Sequence, residues 1–228
     1  MKAYKYKLKP SKQIAQKLER VLDGCRELYN AGLQERRDAY KTKGISINYL
    51  IQANQLPEIK ETRDDIAKIH AQVLQDVLRR LNKSFDSFFR RIKQGEKAGY
   101  PRFKGKAFFH SFTYPQAGAK GGYRIVGKKL HLSKIGKIPF HLSRPLEGTI
   151  KTCTIKREAD GWYVIFTVEE NQSRLFAKTG KTTGVDVGIE NFATLTNGEQ
   201  IENPKYLRKA ERRLKTAQRN LRTSRKIT

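Results

Sequence analysis

The chain is short of acid, of cysteine and of long apolar runs. Its 228 residues carry 22 Asp and Glu against 48 Lys and Arg, a formal net charge of +26. An excess of this size attracts polyanions across about a Debye length. Nucleic acid is therefore the leading partner. No apolar run approaches a membrane span, and no basic amphipathic helix stands out as an anchor, so no membrane partner is expected. The two cysteines, Cys25 and Cys153, form no C-x-x-C pair, and no zinc ribbon can be built from them. His70, His110, His131 and His141 are scattered without metal-ligand spacing and read as structural or surface residues. Met1-Lys2-Ala3-Tyr4-Lys5 leads into alternating charge, not into the apolar block of a secretory signal. A reducing, cytoplasmic compartment is the expectation. With 37% hydrophobic and 10% aromatic residues, a packed core is within reach, in one large domain or two small ones.

Lys2 to Lys9 alternates between Tyr4, Tyr6, Leu8 and a basic face, which predicts a strand. Pro10-Ser11 ends it, with Ser11 as N-cap of a helix that carries Ile14, Leu18, Val21, Leu22, Cys25, Leu28, Tyr29 and Leu33 at helical spacing. That helix runs to about Lys41 and Gly44 breaks it. Ile45 to Leu56 reads as a short helix or connector, punctuated by Pro57. From Asp64 the helical pattern returns, and Val73, Leu74, Val77, Leu78, Leu81, Phe85, Phe88, Phe89 and Ile92 make one apolar stripe expected in the core. Arg79, Arg80, Lys83, Arg90, Arg91 and Lys93 decorate the other faces, either as a solvated face or as phosphate contacts. A Gly/Pro-rich loop follows in which Tyr100 and Phe103 interleave with Arg102 and Lys104. Phosphates need cations and unpaired bases need flat stacking partners, so this loop is a candidate contact.

From Ser111 the period becomes two. Ser111 to Tyr114, Tyr123 to Val126, Lys129 to Leu132 and Lys137 to Phe140 predict short strands, and Thr149 to Arg157 with Trp162 to Glu169 predict a hairpin about Ala159-Asp160-Gly161. A small antiparallel barrel or sandwich is expected. Farther on, Gly184-Val185-Asp186-Val187-Gly188 turns and returns as Phe192-Ala193-Thr194-Leu195. A carboxylate buried in a strand needs a partner. A hard cation would supply one, as in the first hairpin of a ribonuclease-H-like domain. The alternatives are a strand-end Asp that is only hydrogen-bonded, or the phosphate loop of an actin-like ATPase. After the Asn197-Gly198 turn, Lys205 to Lys226 predicts a helix with ten basic residues, one acid (Glu211) and a thin seam of Leu207, Leu214 and Leu221. Such a helix is marginal alone and is expected to pack on nucleic acid or on other protein.

The segments Leu74 to Arg90, Gly99 to Lys104, Ser111 to Pro115, Gly184 to Gly198 and Asn203 to Leu221, in this order, resemble the TnpB (OrfB) family encoded by insertion sequences. The resemblance implies an α+β fold. A small antiparallel β-barrel, the wedge, spans residues 1–10 and 107–178. An inserted helical recognition block spans 11–106, and 179–228 hold the first hairpin and a basic helix of an incomplete RuvC-type domain. It also implies an RNA-guided DNA endonuclease of a transposon, with guide RNA and double-stranded target DNA as partners, in which base pairing reads most of the sequence and protein reads a short flank. Residue by residue, Asp186 matches the first catalytic and metal-binding carboxylate. Gln72, Gln75, Thr113 and Tyr114 match the DNA-contacting positions, amides and hydroxyls being suited to base edges. RNA or phosphate contacts are expected from Arg79, Arg80, Lys83, Arg90, Arg91, Tyr100, Arg102, Phe103, Lys104, Arg208, Arg212 and Arg213.

The family's later Glu, Asp and C-x-x-C ribbon have no counterpart in these residues. Two-metal chemistry needs several ligands, and Glu190 and Glu202 sit on a turn and a distal strand. Mg²⁺ or Mn²⁺, cofactors of the full-length family, are therefore not expected to be held stably here. The sequence reads as a truncated member that binds nucleic acid without cutting. A nuclease completed in trans and an RNA-guided repressor remain open beside it, with an actin-like ATPase more remote.

Overall fold

The computed structural model describes residues 1–118, 121–169, 180 and 182–224, with no side chains described from 221 on. The expected domain boundary at 178–179, the Leu221 side chain and residues 225–228 lie outside the described residues. The chain divides into two compact units, Met1–Ser173 and Arg174–Thr228.

In the first unit, strand β1 (Lys2–Lys7) buries Tyr4 and Tyr6 and exposes its lysines, as the alternation requires. Helix α1 (Lys12–Lys43) starts where Ser11 Oγ accepts the Ile14 N–H, and stops at Gly44, whose φ of 65° is left-handed and favours glycine. The connector resolves into α2 (Tyr49–Asn54), α3 (Leu56–Thr62), with Pro57 in its first turn, and α4 (Asp64–Ala67). The long helix α5 (Ala71–Lys93) then packs on α1. Gly24 and Gly32 make the helical contacts close. A Cβ on Gly24 would lie 2.7 Å from Ile69 Cδ1, and one on Gly32 would lie 3.1 Å from Leu81 Cδ2.

Strands β2 (Ser111–Tyr114), β3 (Gln116–Ala117), β4 (Gly122–Val126), β5 (Lys129–Leu132), β6 (Gly136–Pro139), β7 (Thr149–Glu158) and β8 (Gly161–Glu169) follow. They form two four-stranded sheets, β1-β8-β7-β2 and β3-β4-β5-β6. The β7–β8 hairpin turns at the expected residues, with Glu158 facing Gly161. Among the described residues these sheets do not close into the expected barrel. On one side they meet at the single bridge Leu8–Phe140. On the other the chain passes between sheets across Pro115, which has no N–H to extend a ladder. The pairing is antiparallel except between β3 and β4. One core fills the space between strands and helices. Tyr6 packs its ring 5.7 Å from Phe140 and 6.1 Å from Phe166, and the same cluster continues into Leu18, Leu22, Leu74 and Leu78 of the helices. Cys25 and Cys153 are fully buried, and burial pushes the Cys25 thiol up to about 12, so these are packing residues rather than nucleophiles.

The apolar stripe of α5 is core only as far as Phe85. Phe89 and Ile92 are 54% and 50% exposed because α5 runs past the end of the elements that cover it. The second unit holds β9 (Val185–Asp186), β10 (Asn191–Leu195), β11 (Gln200–Glu202) and helix α6 (Tyr206–Ser224), with strand order β11-β10-β9.

Leu78 and Phe89 therefore separate by experiment. Leu78→Ala should cost about 2–5 kcal/mol in chemical denaturation, whereas Phe89→Ala should stay within about 0.5 kcal/mol. His70, in the turn before α5, adds a pH dependence. Burial holds its pKa below the usual histidine value, and nearby Lys60 and Lys134 lower it further. The folded state then binds fewer protons than the unfolded state. The stability tied to this group is complete above the unfolded value of roughly 6.5 and declines as pH falls below it. In denaturation midpoints measured from pH 8 to 5, His70→Gln should flatten that decline.

Candidate nucleic-acid interface

Helix α5 turns a polar face away from its apolar one. Gln72, Gln75, Arg79 and Lys83 recur at intervals of three and four residues and so share that face. Gln72 Nε2 donates to Gln116 Oε1 at 2.7 Å, tying the start of α5 to β3. The half-buried Gln75 amide has no hydrogen-bond partner among the described residues. Arg79 is exposed, and its guanidinium lies 5.4 Å from the centre of the Tyr49 ring, brought there by α2. Lys83 is exposed one turn on.

Arg80 is held by bonds within the protein. Its Nε donates to Asp76 Oδ2 at 2.9 Å, Nη1 to the Ser111 carbonyl at 2.7 Å, and Nη2 to Thr113 Oγ1 at 2.5 Å. The guanidinium is committed to joining α5 to β2, leaving it little capacity for phosphate. Thr113 Oγ1 also lies 2.8 Å from Thr154 Oγ1, so this hydroxyl is engaged on two sides. Tyr114 points the other way. It is 1% exposed, its hydroxyl donates to the Ser133 carbonyl, and burial pushes its pKa well up. It is packed in the core while Thr113 is turned to the other side, because neighbouring residues on a strand face opposite sides.

The loop after α5 is held at both ends. Arg91 pairs with Glu96 at 2.6 Å and reaches the Lys97 carbonyl, which leaves Arg90 as the freer neighbour. Asn30 grips the backbone of Lys104 by accepting its N–H at 2.8 Å and donating to its carbonyl at 3.0 Å. Between these anchors Tyr100 meets Phe85 and Phe88 edge-on at 5.5 and 5.4 Å, Arg102 is exposed, and Phe103 lies under Arg37 at 5.3 Å. Asn30, Arg37 and Tyr49 were not singled out from the sequence. All three act through contacts between distant segments, for which a linear sequence carries no signal. The Asp76–Arg80 pair, by contrast, was visible as an i,i+4 ion pair.

In the second unit Asp186 stands on β9, an edge strand, and is exposed. The burial inferred for it is not met, because Val185, Val187, Ile189 and Phe192 around it are exposed as well. Among the described residues no three His, Cys, Asp or Glu side chains come together to hold a metal. The donors among the described residues do not make up a two-metal site. Arg208, Arg212 and Arg213 lie exposed along α6.

The Arg80 contacts give a direct prediction. Arg80→Ala should lower stability by roughly 1–3 kcal/mol, since hydrogen bonds to a charged group are lost and Asp76 is left unpaired. Arg80→Lys should rescue little, because an ammonium cannot span Ser111 and Thr113 as the planar fork does. Arg79→Ala, measured alongside by thermal and chemical denaturation, should leave stability almost unchanged.

Residues 1–44 match an OrfB family model described as a helix-turn-helix domain, and residues 165–227 match one described as "Probable transposase". Within residues 1–44 the structure has a strand and one unbroken helix rather than two helices. A protein of Escherichia coli (strain K12) named "Putative RNA-guided DNA endonuclease InsQ" is 28% identical over 100% of this chain and 54% of its own length. One from Streptomyces pristinaespiralis, "Putative RNA-guided DNA endonuclease", is 30% identical over 96% of this chain and 54% of its own. The chain thus spans about half the length of these relatives. Two solved assemblies are also similar. A CRISPR-Cas12f ternary complex has a TM-score of 0.48 at 13% identity, covering 92% of this chain and 52% of the other. A Cas12f1-sgRNA-target DNA complex has 0.42 at 16%, covering 96% and 61%. The family models at both ends and relatives aligned along the length between them lead to one conclusion: the chain belongs to the TnpB (OrfB) family.

Proposed function

We propose that residues 1–228 are the nucleic-acid-gripping part of an RNA-guided DNA endonuclease of an insertion sequence, binding a guide RNA and a short flank of duplex target DNA. The observation that carries this is the face of α5. An unpartnered amide, Gln75, lies beside the exposed cations Arg79 and Lys83 on a helix fixed against a sheet by Arg80. An amide can read an adenine edge while cations hold the flanking phosphates. The net charge of +26 and the names of both relatives support the same reading. In it, Met1–Ser173 combines wedge and recognition block, and Arg90, Arg102, Lys104 and the arginines of α6 follow the RNA backbone.

Asp186 is the first metal-binding carboxylate of a RuvC-type domain in this reading, and a hard divalent cation such as Mg²⁺ or Mn²⁺ would need further oxygen ligands beside it. The chain by itself then binds without cutting. The exposed apolar residues around Asp186 favour completion of that domain by further polypeptide.

Binding to RNA and to duplex DNA, followed by fluorescence anisotropy at several salt concentrations, tests this. Affinity should fall steeply with salt. Arg79→Ala and Lys83→Ala should weaken all sequences alike and each lower the salt slope by about 1. Gln75→Ala should cost about 1–3 kcal/mol on a preferred DNA flank and little on others. Asp186→Ala should leave binding intact. Mg²⁺-dependent cleavage by this chain alone that disappears in Asp186→Ala would overturn the claim that it binds without cutting.

A further inference from the structure

The end of α5 that leaves the core forms one wall of a cavity of about 510 Å³ in the first unit. Phe85, Phe88 and Phe89 line it from α5, Tyr40 from α1 and Tyr100 from the clamped loop. These rings are open to solvent, Phe89 being 54% exposed, Tyr40 67% and Tyr100 43%. Polar groups converge on the same space. Asn82 Nδ2 donates to Asp86 Oδ2 at 3.1 Å, and Asp86 is the single acid of the lining. Arg36 is only 6% exposed, with Nε bonded to Gln52 and Nη1 to Asn82, yet its buried Nη2 has no hydrogen-bond partner among the described residues.

We propose that this cavity takes one unpaired base of an RNA, stacked on the rings of Phe89 and Tyr100, with its hydrogen-bonding edge turned to Asp86 and Asn82. The inference rests on the nucleic-acid reading above and adds to it a site and the kind of nucleotide that fills it. Flat aromatic walls suit any base, and a cavity of this size lies in the usual range for sites that enclose small groups. Charge selects the occupant. The lining residues Tyr40 and Phe89 are flanked in the chain by Lys41, Lys43 and Arg90, cations that would meet phosphate on either side of an inserted base. An apolar protein helix laid in the cavity would leave them facing nothing of opposite sign. Duplex DNA keeps its bases paired and stacked, whereas RNA loops and bulges offer bases splayed outward. Asp86 accepts hydrogen bonds only, so the favoured edge carries N–H donors, as guanine does.

The test uses the full chain and two labelled RNAs of equal length. One is a hairpin with a single guanosine in an unpaired loop position, and the other is fully paired. Phe89→Ala, at a position exposed enough to leave the fold intact, should weaken the looped RNA about 5- to 100-fold and the paired RNA hardly at all. Replacing the loop guanosine by inosine should weaken binding to the wild type and make no difference to Asp86→Asn. Equal losses for both RNAs, or none for either, would remove the pocket while leaving general nucleic-acid binding in place. A wild type that binds neither RNA would remove both readings. An equal loss for single-stranded DNA of the loop sequence would reassign the pocket to an unpaired DNA base and overturn the RNA assignment.

Discussion

The Arg80 guanidinium ties helix α5 to strand β2. The apolar face of α5 decides which way the helix is turned, because Val73, Leu74, Val77, Leu78 and Leu81 must all leave water. Hydrophobic contact is non-directional, however, and does not by itself fix where along β2 the helix rests. Arg80 supplies that register through Ser111 and Thr113, and Asp76 balances the half-buried charge. Everything displayed on the opposite face follows from that position, including the Gln72–Gln116 bond and the unpartnered Gln75 amide.

Charge sets the second constraint. At a formal +26 the folded chain repels itself. The structure accommodates this by spending few acids at chosen points. Glu19 meets Arg157, Glu158 meets Lys5 and Lys156, and Glu27 with Asp65 meets Arg63. These pairs are exposed and individually weak. Most of the remaining cations face solvent. A bound polyanion would relieve that repulsion, so binding and folding should reinforce each other through mass action.

The boundaries of the elements were legible because local chemistry decides them. Ser11, Gly44, Pro57 and Gly161 each act through the backbone of their own segment, and the structure starts, stops or turns at each. What depends on distant segments was not legible. Whether eight strands close into a barrel is settled at two seams, Pro115 and the Leu8–Phe140 bridge. Where the α5 stripe ceases to be core depends on how far the elements covering it extend. Asp186 looked buried because apolar neighbours surround it in sequence, but those neighbours are themselves uncovered. Thr113 and Tyr114 are adjacent on a strand and cannot both face the same ligand. Phe112, two residues before Tyr114, already marked that side as the interior.

The clamp of Asn30 on the backbone of Lys104 has a consequence for how the protein can change. It grips main-chain atoms only and is indifferent to which side chains lie between the end of α5 and position 104. With that segment pinned at its exit, insertions or substitutions within it cost little loop-closure entropy and do not disturb β2. The scaffold can therefore exchange this loop as a cassette, and a lineage of such proteins could alter its ligand there while the sheet and helices stay as they are.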